Sequence, residues 1–263
     1  MTEPLVRKVD HVFVPVRDPE PLFSLFTETL ALPVAWPVTD RGLYGSAAAC
    51  AGNANIEFIA GDPTVSPFFE PTEPLTVRGI AFEPEDGEAM LATLDERAIP
   101  HAGAGTFVDD TGEPMFTNVF LDGMAANAAL IFLCEYKGET AGARRSVRDE
   151  FAAGDGGPIK VRGVAEITLG VSDVARSMDL WRRFLAPAEP DAHGAFHFGD
   201  GPVVRLKPSP IDGVAAVWLE VASLAGAHDA LRERDLLGPM RASGIGLNYA
   251  KTGGLDVWLT ESR

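Results

Sequence analysis

A stretch near the start of the chain returns in its second half, and this repeat constrains the fold more than any other feature. Residues 9–30, VDHVFVPVRDPEPLFSLFTETL, align with residues 164–185, VAEITLGVSDVARSMDLWRRFL. In both copies an alternating strand ends at an aspartate, Asp18 or Asp173, which is placed to accept a hydrogen bond from the first free amides of a helix. The chain therefore contains duplicated units that begin with a strand, a cap and a helix.

Strand and turn signals after each helix divide the chain into four units of the βαβββ type. In the first unit, β-like runs surround Ala35 and occupy residues 44–50 and 55–59. The second and fourth units also match each other, because LDERAI from Leu94 aligns with LRERDL from Leu231. The pattern indicates that a two-unit body was doubled, and the predicted fold class is α+β.

The duplication predicts two domains, over residues 1–136 and 161–263. Residues 137–160 lie between them and are polar, rich in Gly and Ala, and without strand periodicity. This composition is typical of a linker, and one helical turn is compatible with residues 145–151.

Composition and charge favour a globular protein that binds small molecules. Hydrophobic residues make up 46% and charged residues 23% of the chain, which excludes a disordered protein. The formal charge of −16 repels phosphate backbones, so no nucleic-acid partner is expected. No apolar run is long enough to cross a membrane, and no signal peptide is visible. Cys50 and Cys134 lack a CxxC partner and are predicted to be buried thiols, which favours the cytoplasm.

Two strand motifs carry a resemblance to a known family. The first is the pattern D-H-x-x-h-x-V-x-D over residues 10–18, where h is apolar, and the second is the h-E-h strand at residues 56–58. With the helix and three strands between them, they resemble the vicinal oxygen chelate superfamily, which includes glyoxalases, bleomycin-resistance proteins and extradiol dioxygenases. The resemblance implies paired βαβββ units in a glyoxalase-like domain, with a curved, partly open sheet around a cavity. It also implies metal ligands on the first and last strand of each unit.

Carried onto this chain, the resemblance places His11 at the first-strand ligand position and Glu57 at the last-strand position. Gly79 and Phe132 stand where the second unit would present a histidine and a carboxylate. Two protein ligands are fewer than the three of a typical catalytic site, so the implied cofactor is one divalent metal ion or none. We expect His11 and Glu57 to lie within reach of each other, as a catalytic or metal-binding pair or as a structural one.

Aromatic residues are concentrated in the first half, where a cavity would have apolar walls and a few polar anchors. The predicted wall residues are Trp36, Tyr44, Asn55, Phe58, Phe116, Asn118, Phe120 and Phe132. In the second half, Glu166 and Arg205 occupy the positions that correspond to His11 and Glu57. We expect these two to form a structural ion pair in place of a metal site.

These observations lead to two hypotheses. The first is a small-molecule enzyme of the vicinal oxygen chelate type, a lyase, isomerase or dioxygenase-like protein that uses His11 and Glu57 in the amino-terminal cavity. The alternative is a protein of the bleomycin-resistance type that binds and sequesters a drug or metabolite without catalysis. In either case the partner is a small molecule, and the four units permit a monomer or a homodimer.

Overall fold

The computed structural model describes residues 3–40, 42–125 and 128–261, which form an α+β protein with two curved, partly open mixed sheets. The predicted fold class is confirmed. The strands of the first sheet are β1 Val6–Pro15, β2 Val34–Asp40, β3 Tyr44–Cys50, β4 Asn55–Gly61, β5 Gly79–Pro84, β6 Gly105–Val108, β7 Pro114–Leu121 and β8 Leu130–Tyr136. Those of the second sheet are β9 Val161–Val171, β10 Ala195–Phe196, β11 Val203–Pro208, β12 Gly213–Val221, β13 Leu237–Arg241, β14 Gly244–Leu247 and β15 Val257–Glu261.

The helices are short and lie between the strands. They are α1 Glu20–Ser24, which continues as a π-helical turn over Leu25–Thr29, then α2 Met90–Glu96, α3 Gly138–Ala153, α4 Val174–Leu185, α5 Leu224–Glu233 and α6 Tyr249–Thr252, with a 3-10 turn over Pro67–Phe69. Asp173 accepts a hydrogen bond from the amide of Arg176 at 3.0 Å, and Asp18 accepts one from the amide of Glu20 at 3.0 Å. Both aspartates bind a helix-start amide, as the sequence predicts. None of the helices in the described ranges has the length and apolarity needed to span a membrane.

The strand order shows how the repeat builds the sheets. In the first sheet the order is β2-β3-β4-β1-β5-β8-β7-β6, and in the second it is β10-β11-β9-β12-β15-β14-β13. Each unit pairs its first strand parallel to its last, as β1 with β4, β5 with β8, β9 with β11 and β12 with β15. The third unit is shorter, since only β10 and β11 follow α4. The edge strands β6 and β13 are short and were not predicted from the sequence, because neither shows a clear alternation of apolar and polar residues.

The two faces of the first sheet have different roles. Because side chains alternate along β1, those of Val12 and Val14 point towards the main hydrophobic core, which runs through both halves of the chain. Phe13 lies on the opposite face, in a separate apolar cluster with Phe132 and Cys134. This second face carries the candidate site.

Aromatic side chains join the two halves in the main core. The Phe82 ring of β5 lies 5.1 Å from the Phe184 ring and 6.0 Å from the Trp181 ring of α4, measured between centroids. The Trp181 Nε1 also donates a hydrogen bond to the backbone oxygen of Met124 at 3.0 Å. The two sheets therefore share buried apolar surface, which holds them in one arrangement.

The segment 137–160, predicted as a linker with at most a short helical turn, contains the 16-residue helix α3. Its Ala, Glu and Arg residues have high helix propensity, and the helix ends before Gly156 and Gly157, both of which have positive φ. The helix packs against β2, β3 and β7 of the first sheet, and Phe151 is buried. The segment therefore packs against the first sheet as part of the amino-terminal half of the protein.

Replacing Phe82 with alanine is expected to lower the free energy of unfolding by about 3–5 kcal/mol, because it leaves a cavity among buried rings. Urea unfolding followed by tryptophan fluorescence should show one transition with a lower midpoint. Ile211→Ala is the control, since Ile211 is 77% exposed and its loss should change little. Two separate transitions, with the second half unaffected by Phe82→Ala, would contradict a shared core.

Candidate active site

A cavity of about 500 Å³ lies on the second face of the first sheet. Helix α3 forms part of its wall through Thr140, Ala143 and Arg144. Six of the predicted wall residues line it, namely Trp36, Tyr44, Phe116, Asn118, Phe120 and Phe132. Five further rings that line the cavity were not predicted, and they belong to Phe13 on β1, Phe68 and Phe69 in the 3-10 turn, Phe107 on β6 and Tyr136 on β8. The result is a pocket with mainly aromatic walls, large enough for a small organic molecule.

Two of the predicted wall residues do not line the cavity. Phe58 follows Glu57 on β4, so the alternation of the strand turns its ring to the main core, where it packs 5.3 Å from the ring of Phe26. Asn55 is buried beside the site, and its Nδ2 donates a hydrogen bond to the backbone oxygen of Asp10 at 3.2 Å. Asn55 therefore ties β4 to β1 and does not act as a polar anchor for a ligand.

The structure brings His11 and Glu57 together at the cavity wall. The His11 Nε2 lies 3.4 Å from the Glu57 Oε2, and both side chains are buried. The imidazole is held edge-on between the rings of Trp36 and Phe132, with centroids 5.8 Å and 5.6 Å away. On its other side, the His11 Nδ1 lies 2.7 Å from the Asp10 Oδ2.

These contacts fix the protons of the cluster. Because Asp10 is ionised, the His11 Nδ1 carries a proton and donates it to that carboxylate. On the cavity side, the His11 Nε2 lies within ion-pair distance of the Glu57 Oε2.

Asp10 reaches this position through a shift in the register of β1. Val9 pairs with Phe82 of β5 and His11 pairs with Ala81, so β1 holds one extra residue, Asp10, at this point. In a regular strand neighbouring side chains point to opposite faces, and the shift lets Asp10 and His11 meet.

The Asp10 carboxylate is fully buried and is held by three donors. Burial acts to raise its pKa, but the charge of Arg144 and the hydrogen bond from His11 outweigh burial and lower the pKa to about 2. The Tyr136 hydroxyl also donates to Asp10 at 3.1 Å. Burial and the charge of Asp10 raise the pKa of Tyr136 well above its ordinary value, so the phenol stays protonated and keeps donating.

Arg144, in the segment read as a linker, was not predicted as a site residue. It projects from α3, forms an ion pair with Asp10 and lines the cavity. Its guanidinium lies over the ring of Tyr136, 3.9 Å from the centroid, and over the ring of Trp36 at 5.2 Å. The sequence offered no signal for this role, because the buried acid that Arg144 neutralises is 134 positions away.

The second half shows a different arrangement at the corresponding positions. The Arg205 Nε lies 2.8 Å from the Glu166 Oε2, and the Thr168 hydroxyl donates to the other Glu166 oxygen at 2.7 Å. The predicted partners therefore meet as an ion pair. Arg205 sits opposite Thr168 in the register, as Glu57 sits opposite Phe13 in the first half, so the two pairs occupy equivalent places.

No protein-family model matches the chain, and no curated protein matches it. A solved hypothetical protein from Staphylococcus aureus superimposes with a TM-score of 0.64 at 10% identity, covering 97% of this chain and 99% of that one. The 2,3-dioxygenase LapB from Pseudomonas sp. KL28 gives 0.62 at 12% identity, with 99% and 94% covered. The Mn(II)-bound glyoxalase from Novosphingobium aromaticivorans gives 0.61 at 12% identity, with 98% and 83% covered.

These superpositions extend over nearly the whole chain. The chain therefore shares the glyoxalase-like fold of these structures. At such low identity the likeness establishes the fold, while the chemistry depends on the side chains at the four positions where the sequence resemblance implies metal ligands.

In this chain two of those four positions carry donors, His11 and Glu57. At the third, Gly79 leaves room for the ring of Phe13, which a Cβ at that position would overlap. At the fourth, Phe132 presents an apolar ring to the cavity. Glu135, the nearest carboxylate along β8, pairs with the Nζ of Lys137 at 2.6 Å and lies outside the cavity wall.

The donor set therefore does not fit the three-ligand metal centre that the resemblance implies. Within residues 3–40, 42–125 and 128–261, no group of three or more His, Cys, Asp or Glu side chains is placed to hold a metal ion. The charged partner of Asp10 in this site is the Arg144 guanidinium.

The pKa of Asp10 predicts a dependence of stability on pH. Since its pKa falls from 3.8 to about 2 on folding, the carboxylate stabilises the fold above about pH 4, and this contribution is lost as the pH falls towards 2. It amounts to about 2 kcal/mol. Urea unfolding measures the free energies of unfolding of the wild type and of Asp10→Asn. The difference between the two should become smaller as the pH falls from about 4 towards 2. Asp200→Asn, at an exposed turn, is the control and should show no such narrowing. A constant difference down to pH 2 would show that folding does not lower the pKa of Asp10.

Gly79→Ala is expected to destabilise the protein by about 1–3 kcal/mol, because the new Cβ displaces the buried ring of Phe13. Gly103→Ala is the matched control, since its Cβ would meet no atom within 4 Å. Thermal unfolding of the two variants measures the difference. Adding Phe13→Leu to Gly79→Ala should recover part of the loss, and equal stability of the two single variants would argue against the packing described here.

Proposed function

We propose that this protein is an enzyme of the vicinal oxygen chelate type, an isomerase or lyase that moves a proton on a carbon next to a carbonyl group. Glu57 and His11 are assigned as the proton-transfer pair. The observation that supports this assignment is the 3.4 Å contact between the His11 Nε2 and the Glu57 Oε2 in the wall of an aromatic cavity, with Asp10 behind the imidazole. This arrangement supplies an acid and a base at one point.

The reaction begins from the imidazolium and carboxylate form of the pair. The Glu57 carboxylate takes a proton from the carbon beside the carbonyl, and the electron pair of the broken C–H bond moves onto the carbonyl oxygen. The His11 Nε2–H donates to that oxygen as its negative charge develops. Return of the proton from Glu57 to carbon gives the isomer. In the lyase outcome the enolate re-forms the carbonyl and makes a C=C bond, and a leaving group on the next carbon departs with its electron pair and takes the proton from Glu57.

Asp10 and Arg144 support this chemistry without direct transfer of a proton. Asp10 holds the imidazole in one tautomer and stabilises its positive charge, as a buried carboxylate does behind a catalytic histidine. Arg144 and Tyr136 keep Asp10 ionised, so it does not compete for the mobile proton. They are positioning residues in this proposal.

The walls of the cavity define the class of substrate. Its volume of about 500 Å³ suits a small molecule, and the many rings favour a substrate with an aromatic or other flat apolar part. One similar structure is described as a Mn(II)-bound glyoxalase, but His11 and Glu57 alone do not make the donor set of such a centre. We therefore derive no step through a metal.

Exchange of the protons beside a ketone tests this proposal. With benzylacetone in D₂O, followed by NMR, the wild type should accelerate deuterium incorporation next to the carbonyl. Glu57→Gln keeps the shape but removes the base and should slow this exchange at least a hundredfold. Glu135→Gln makes the same chemical change outside the cavity and should leave the rate unchanged.

Three outcomes would count against the proposal. Exchange no faster than in buffer, with benzylacetone still bound, would favour the sequestration hypothesis. Equal rates for wild type and Glu57→Gln would remove Glu57 from the reaction. Loss of exchange on treatment with a chelator, with recovery on adding a divalent metal, would show that a metal participates.

A further inference from the structure

Asn118 lies in the cavity wall, and the proposed reaction gives its side-chain amide no role. It lies on β7 between Phe116 and Phe120, which share its face of the strand and also line the cavity. The side chain is 8% exposed, and its Oδ1 is buried without a hydrogen-bond partner among the residues that the structure describes. A buried amide oxygen without a partner is unfavourable, so its presence in an otherwise aromatic wall points to a ligand.

The side chains beside Asn118 on the neighbouring strands do not supply the missing partner. Gly105, which faces it on β6, has no side chain, and Cys134, which faces it on β8, is at most a weak donor. Thr117 points to the other face of β7 and bonds to Thr106 at 3.0 Å. A ligand in the cavity is therefore the remaining source of a partner for the Asn118 amide.

The sheet places Asn118 well away from the proton-transfer pair. The register runs from His11 on β1 to Ala81 on β5, then to Phe132 on β8 and to Phe120 on β7. Three strand spacings separate β1 from β7, which is about 14 Å along the curved sheet. A ligand that reaches both sites must therefore carry polar groups at its two ends.

We propose that Asn118 recognises a hydroxyl group at the end of the substrate remote from the carbonyl. This inference rests on the proposed function and specifies its substrate class. A carboxamide offers both a donor and an acceptor, and a hydroxyl group matches both because it accepts from the Nδ2 and donates to the Oδ1. The rings of Phe120 and Phe132 lie between the two ends and fit the apolar middle of such a molecule. The substrate class is thus a hydroxyaryl ketone or a close analogue.

Binding of three related ketones tests this inference. The probes are benzylacetone, its para-hydroxy derivative and its para-methoxy derivative, measured by isothermal titration calorimetry at a pH where the phenol is neutral. The wild type should bind the hydroxy compound about tenfold more tightly than the methoxy compound, which cannot donate. Asn118→Leu keeps a similar shape and should reduce this ratio to about one.

A matched variant and a stability measurement separate recognition from a structural role. Phe120→Leu, on the same face of β7, should weaken the binding of all three probes alike and leave the hydroxyl preference in place. Asn118→Leu removes an unpaired buried amide, so its unfolding midpoint in urea should equal or exceed that of the wild type. A lower midpoint would mean that the amide serves the fold, which overturns the inference.

The possible failures are distinguishable. A wild type that binds the probes without preferring the hydroxy compound overturns the role of Asn118, and the proposed function then stands or falls with the Glu57-dependent exchange. A preserved preference without exchange supports Asn118 as a recognition residue and contradicts the catalytic assignment. If none of the three ketones binds, both proposals are wrong, because both assign ring-bearing ketones to this cavity.

Discussion

The buried carboxylate of Asp10 is the group on which the candidate site depends. A charge removed from water must be paired, and Asp10 is paired with a guanidinium, a phenol and an imidazole that come from three different elements. These contacts attach α3 to the first sheet and close the cavity, and they also set the tautomer of His11. The pairing of one buried charge thus bears on both the wall of the pocket and the tautomer of His11.

Strand alternation explains which sequence predictions hold and which fail. Trp36, Tyr44 and Phe132 were expected in the cavity wall and line it, whereas Phe58, adjacent to Glu57, belongs to the opposite face. The D-H motif in the middle of β1 suggested one inward residue, His11. The extra residue in β1 brings Asp10 to His11 as well, and a register shift of this kind depends on the pairing with β5, which a single sequence does not reveal.

The segment 137–160 shows a second limit of sequence reasoning. Its polar composition suggested a linker, and α3 indeed buries little besides Phe151. Its importance comes from Arg144, whose partner Asp10 is distant in the sequence and lies on a strand dominated by apolar residues. Local propensity can predict a helix here, but the pairing of one arginine with one buried acid is a property of the folded chain.

The two halves show how one scaffold can leave a reactive pair in one place and remove it in another. In the second half Glu166 is neutralised within the sheet by Arg205 from the neighbouring strand, and Thr168 satisfies its other oxygen, so no acceptor is left over. In the first half the neutralising arginine comes from α3, outside the sheet, and binds Asp10 behind the imidazole. His11 and Glu57 therefore occupy the strand positions in front of Asp10 and face the cavity. The source of the compensating charge, within the sheet or outside it, decides which half keeps groups that are available for chemistry.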